Sequence, residues 1–117
     1  MPIDNVLASV AVRDLKAAEA WYARLIGTAG SKPMPEVAEW KFPGGGGLQV
    51  YALAERAGHC SFTMVVRDIE SEIRKLDGMG VDTSERSFNP RIKTVMVTDP
   101  DGNHIALAES LDPALMK

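Results

Sequence analysis

The sequence predicts an α+β protein made of two βαβββ modules, and three observations carry that prediction. The first is a hairpin signature near the C-terminal end, Thr94-Val-Met-Val-Thr-Asp-Pro-Asp-Gly-Asn-His-Ile-Ala-Leu-Ala-Glu109, where two alternating runs flank a Pro and Gly turn. The second is an internal repeat. Val12-Arg13-Asp14-Leu15 returns 54 residues later as Val66-Arg67-Asp68-Ile69, each time where a strand pattern runs into a helical one. The third is length: 117 residues make one domain, 1–117, with modules at about 4–54 and 59–109.

Taken in order, Asn5 to Val12 alternates. Val6, Ala8, Val10 and Val12 face one way and Asn5, Leu7, Ser9 and Ala11 the other, as in a strand covered on both faces. Asp14 stands at an N-cap, its carboxylate able to accept from the free amides of the next turn. Leu15, Ala18, Trp21, Tyr22 and Leu25 then recur at helical spacing until Gly27, which predicts a helix over 15–26 with Trp21 in the core. Gly30 to Glu36, rich in Gly, Pro and Ser, reads as a loop. Ala38 to Phe42 and Leu48 to Leu53 read as strands on either side of Pro43-Gly-Gly-Gly-Gly47. Those glycines lack the Lys-Ser or Lys-Thr and the following helix that a phosphate loop requires, so they predict a mobile hairpin tip.

In the second module, His59 to Val66 sets His59, Ser61, Thr63 and Val65 against Cys60, Phe62, Met64 and Val66. Asp68 caps a helix whose apolar face is Ile69, Ile73 and Leu76 and which stops near Gly78 and Gly80. Val81 to Pro90 reads as a weak strand or loop, and the hairpin closes the module. If Thr98 pairs with His104, then Val95, Val97, Ile105 and Leu107 share a greasy face. Thr94, Met96, Thr98, His104, Ala106 and Ala108 share the other. That second face is mixed and small, suited either to cupping a ligand or to meeting solvent.

Composition narrows the function classes. A net charge of −3 and a pI near 5.3 leave no basic stripe for nucleic acid. The single Cys60 forms no intramolecular disulfide, and the N-terminus lacks a basic region followed by an apolar run. No apolar stretch approaches the roughly 18 residues of a membrane span, so a soluble cytoplasmic protein is expected. Nucleophilic chemistry finds little support. Cys60 has core-facing parity opposite His59 and reads as a buried inert thiol, Glu109 falls on the apolar-facing parity at a strand end, and Asp99 and Asp101 are turn formers.

The segments VAVRDLKAAEAWYARLIG and VMVTDPDGNHIALAE resemble the first helix region and the last hairpin of the vicinal oxygen chelate superfamily, over roughly residues 4–109. That superfamily includes glyoxalase I, extradiol dioxygenases, fosfomycin-modifying transferases and bleomycin resistance proteins. The resemblance implies the glyoxalase/bleomycin resistance fold: two βαβββ modules forming a curved mixed sheet around a cleft, usually within a homodimer. It also implies four strand positions for the ligands of a divalent metal. Counting seven residues before each capping Asp gives Leu7 and Ser61, the strand after the glycine turn gives Gln49, and seven after Asp99 gives Ala106. Of these, Gln49 alone offers a serious ligand, where a catalytic divalent site needs about three. His59 and His104 each stand two residues before a vacant position, on the same strand face but displaced by roughly 6 to 7 Å.

The expectation is therefore a protein without metal or other cofactor that binds a small organic molecule, with drug sequestration as in the bleomycin-binding relatives as the role. Its ligand-binding candidates are Leu7, Ser9, Trp40, Gln49, Tyr51, Ser61, Thr63, Met96, His104 and Ala106. Trp40 is included as an aromatic wall whose parity depends on where its strand starts. The expected partners are the small ligand and a second copy of the chain, with neither nucleic acid nor membrane. Two alternatives stand beside it: a metal-dependent lyase, isomerase or dioxygenase with displaced ligands, and a non-catalytic subunit whose work is association.

Overall fold

Strands form where apolar residues recur at every second position and helices where they recur at every third or fourth. The computed structural model, which describes residues 2–112, follows that pattern closely. The first module runs β1 (Leu7–Val12), α1 (Leu15–Ile26), β2 (Ser31–Met34), β3 (Val37–Lys41) and β4 (Gly47–Ala52). The second runs β5 (Ser61–Val65), α2 (Ile69–Gly78), β6 (Arg86–Phe88), β7 (Ile92–Thr98) and β8 (His104–Ser110). Each module builds one four-stranded mixed sheet, ordered β1-β4-β3-β2 and β5-β8-β7-β6. In both, the first strand lies parallel to the last and the remaining neighbours are antiparallel.

The helix borders follow from their caps. Asp14 accepts from the Ala17 amide at 3.2 Å and Asp68 from the Ser71 amide at 3.3 Å, so the repeated Val-Arg-Asp does the same work twice. Gly27 ends α1 at φ +95°, where a side chain would be strained, and its N–H bonds to the Ala23 carbonyl. Glu109, placed by the sequence on the apolar-facing parity at its strand end, reaches back from β8 to accept from the Ile69 amide at 2.9 Å, satisfying a second free donor of α2. Among the described residues no helix is long and apolar enough to cross a membrane.

The core of the first sheet lies beneath α1: Val10, Val12, Ala38, Trp40, Leu48 and Val50 meet Ala18, Tyr22 and Leu25. That of the second lies beneath α2, where Val95, Val97, Ile105 and Leu107 meet Ile69, Ile73 and Leu76. The expected pairing of Thr98 with His104 is observed, and it sets this face.

Three expectations need correction. The stretch read as a loop, Gly30 to Glu36, contains β2. It escaped detection because all four of its residues are exposed and Pro33 interrupts any pattern, which an edge strand tolerates. Trp21 is only half-buried, packed edge-on against Tyr22, while Trp40 is the sealed indole. The strand expected from His59 starts at Ser61, because the Cys60 amide is given to a side chain, that of Asn103.

The chain forms two compact units. One takes the chain up to Cys60 together with the turn Pro100–Asn103, and the other takes Ser61–Asp99 and the chain from His104 onward. The turn is built into the first unit by Asn103, which is fully buried. Its Oδ1 accepts from the amides of Gly58 (2.9 Å) and Cys60 (3.0 Å), and its Nδ2 donates to the Ala11 carbonyl (2.8 Å). Next to it, Asp101 accepts from the Arg13 backbone amide and guanidinium, each at 3.1 Å. Gly58 has φ +87°, and a Cβ there would come within 2.7 Å of the Asp101 carbonyl, so glycine is required where the turn seats.

Two outcomes test this account. Asn103→Ala strands one buried acceptor and two donors and should lower unfolding stability by about 2 kcal/mol or more. Val97→Ala truncates the core under α2 and should cost about 1 kcal/mol or more. Urea titrations measure both, and an Asn103→Ala protein with parental stability would refute the proposed role of the turn.

Candidate functional site on the helix-free sheet faces

With one helix per sheet, the residues of opposite parity are left on a helix-free face, and the strand registers say which side chains are neighbours. On the first sheet, Leu7, Ser9 and Ala11 of β1 stand beside Gly47, Gln49 and Tyr51 of β4. Those in turn stand beside Lys41, Glu39 and Val37 of β3. Four of the expected site residues, Leu7, Ser9, Gln49 and Tyr51, therefore share one surface, the first two exposed and the last two half-buried. Gln49 donates to Glu39 through Nε2 at 2.9 Å.

On the second sheet, His104 lies between Ser61 and Thr98, and Ala106 between Thr63 and Met96. The remaining five candidates, Ser61, Thr63, Met96, His104 and Ala106, are thus contiguous. Ser61, Thr63 and His104 are exposed, and Met96 and Ala106 are half-buried.

Trp40 does not belong with them. It pairs with Leu48 on the helix side of the sheet, is 3% exposed, donates to the Thr28 carbonyl at 2.8 Å and packs near Tyr22. The cause is the hairpin register: the turn closes through Phe42 and Gly46, Lys41 meets Gly47, and every β3 residue takes its parity from that pairing. Four consecutive glycines concealed the length of the turn. The residue that reasoning missed is Glu39, the neighbour of Gln49. The alternation Val37, Glu39, Lys41 against Ala38 and Trp40 is its signal, legible only once the register is known.

The donor chemistry at the four positions assigned to metal ligands does not fit a resident divalent ion. Leu7 and Ala106 carry no donor atom, Ser61 carries a neutral hydroxyl, and Gln49 offers one neutral amide oxygen, its NH2 being turned to Glu39, where a catalytic divalent site needs about three ligands. No group of three His, Cys, Asp or Glu side chains arranged to hold a metal occurs among the described residues. His59 falls in the first unit, its amide bonded to the Arg56 carbonyl, and His104 in the second.

Cys60 is half-buried, its Sγ accepting from the Ala11 amide at 3.4 Å and facing the Arg56 carbonyl at 3.7 Å, which occupies the thiol structurally. Asp82 has its carboxyl held below the usual range by hydrogen bonds from the Ser84 side chain and amide, a turn device in the connection to β6. A shallow depression of about 340 Å³ runs between α1 and the start of β2. The Lys32–Glu19 ion pair at 2.9 Å crosses it, beside Lys16.

Comparison with known proteins gives a consistent picture, although no protein-family model and no curated protein matches the chain. Among solved structures, an antibiotic binding protein from a Streptomyces species is similar at 24% identity and TM-score 0.78, covering 94% of this chain and 98% of that one. A lactoylglutathione lyase from Agrobacterium tumefaciens is similar at 17% identity and TM-score 0.75, covering 93% and 95%. Below 25% identity these two speak for the fold alone. A glyoxalase/bleomycin resistance protein from Catenulispora acidiphila is 33% identical with a TM-score of 0.79, over 90% of this chain and 96% of that one. On that identity and coverage, the chain belongs to the glyoxalase/bleomycin resistance family of the vicinal oxygen chelate superfamily.

Proposed function

We propose that the protein is a metal-independent binder of a small organic molecule, working as a cytoplasmic homodimer, and that sequestration of a drug-like compound is its role. The observation that carries this reading is the replacement of metal donors by Leu7, Ser61 and Ala106 on helix-free sheet faces. Small and apolar groups there leave room for a guest in place of an ion and its water. A family neighbour is named as an antibiotic binding protein, which supports a ligand of that kind. The first strand of each sheet has one hydrogen-bonded neighbour among the described residues, and Val6 and Val65 are largely exposed. Such edges and apolar side chains favour association with a second chain.

Three measurements test the proposal. Elemental analysis of purified protein should find no stoichiometric Zn, Ni, Mn or Fe. About one metal per chain, lost in His59→Ala or His104→Ala, would instead support the enzyme with displaced ligands. Light scattering at micromolar concentration should give twice the chain mass.

Ala106→Trp should abolish binding of planar aromatic or glycopeptide-like compounds, read by tryptophan fluorescence, while melting close to the parent. Ala106 sits between Thr63 and Met96 on the helix-free face, so the added bulk fills ligand space and does not overpack the core. An Ala106→Trp protein that melts early would reverse the face assignment.

A further inference from the structure

The first sheet carries a single polar row across its helix-free face. Ser31 of β2 pairs with Glu39 of β3, Glu39 with Gln49 of β4, and Gln49 with Ser9 of β1. The row on one side is Val37, Tyr51 and Ala11, and the row on the other is Lys41, Gly47 and Leu7. Leu7 leans over Gly47, where a Cβ would collide with its Cδ2, so the polar row is flanked by an apolar shoulder on that side.

The hydrogen bond inside the row decides what it can receive. A carboxylate only accepts, so Gln49 must turn its NH2 toward Glu39, as it does at 2.9 Å, and its carbonyl oxygen is directed away. Two acceptors then remain on adjacent strands: the second oxygen of Glu39 and Oε1 of Gln49. Glu39 is half-buried and forms none of the ion pairs among the described residues, and Lys41, the other charge on this face, does not pair with it. A partly desolvated carboxylate oriented by an amide and lacking a counter-charge is arranged for an incoming cation.

We propose that Glu39 and Gln49 form the recognition element for an organic cation with N–H donors, an amidinium or guanidinium on a planar apolar body. Each acceptor takes an N–H group of the planar cation, and the bond to Glu39 is charge-assisted. The apolar body rests against Leu7 and the Tyr51 ring, and Tyr51 adds attraction for positive charge. This names the ligand class of the binding site proposed above and rests on that reading.

The test is an amide-resolved NMR titration of the whole protein with two probes of the same shape, benzamidine and uncharged benzamide. Benzamidine should shift the amides of Ser9, Glu39, Gln49 and Tyr51 and bind at least about tenfold more tightly than benzamide, with the preference shrinking as salt is raised. Glu39→Gln, which keeps the shape of the side chain, should weaken benzamidine about tenfold and benzamide much less, so that the preference between the two probes collapses. Gln49→Met is the second variant, expected to act in the same direction while the spectrum stays dispersed. Equal binding of both probes at this face, or no effect of either substitution, would overturn the cation preference and leave the small-molecule reading standing. Shifts scattered over other carboxylates, with the row unperturbed by either probe or by neutral planar aromatics, would overturn both.

Discussion

Each four-stranded sheet has one helix to cover it, and that constraint shapes the molecule. Outside the fully exposed edge strands β2 and β6, period-two alternation sends alternate side chains to the helix, where Tyr22 and Leu25 or Ile73 and Leu76 seal them. The other half is left on a helix-free face, with Ser9 and Gln49 on one sheet and Thr63, His104 and Ala106 on the other. A slip of one residue would exchange the two sets, so burial on one side holds the chemistry of the other in register. The core is thus also the device that positions the candidate binding surface.

A second dependence runs through Asn103. One buried amide satisfies two donors and one acceptor around the ends of β1 and the Arg56–His59 turn, and Gly58 permits the close approach. The matching turn of the first module, Phe42 to Gly46, has glycine at the corresponding place and closes on its own backbone. The two modules therefore share a plan but differ in what their hairpin turns do. Buried polar networks of this kind specify one arrangement because each missing partner is costly.

The residues at the positions associated with metal chemistry are ill suited to it. Leu7, Ser61 and Ala106 cannot tune a bound water or polarise a carbonyl, while Gln49 is turned toward Glu39. What these faces do offer is graded polarity: hydroxyls and an imidazole on the second sheet, and on the first a carboxylate and amide row with Tyr51 and Val37 on one side and Leu7 and Lys41 on the other. Such surfaces can discriminate among organic guests by shape and by hydrogen-bond complementarity.

The sequence by itself determined the βαβββ repeat, both capping aspartates, the ends of α1, the pairing of Thr98 with His104, and the face shared by Ala106 and Met96. These follow from local rules, the free amides of a first helical turn and the alternation of a strand, which act on neighbouring residues whatever the rest of the chain does. Only the tertiary structure decided the parity of β3, the existence of β2, and the work of Asn103 and Glu109. Glu39, and not Trp40, stands on the helix-free face because the length of a glycine turn sets register, and four glycines in a row carry no pattern from which to count. Edge strand β2 has no buried face to leave an apolar signature. The bonds of Asn103 to Ala11 and of Glu109 to Ile69 join residues 92 and 40 positions apart, a separation at which side-chain chemistry is defined by packing and not by spacing.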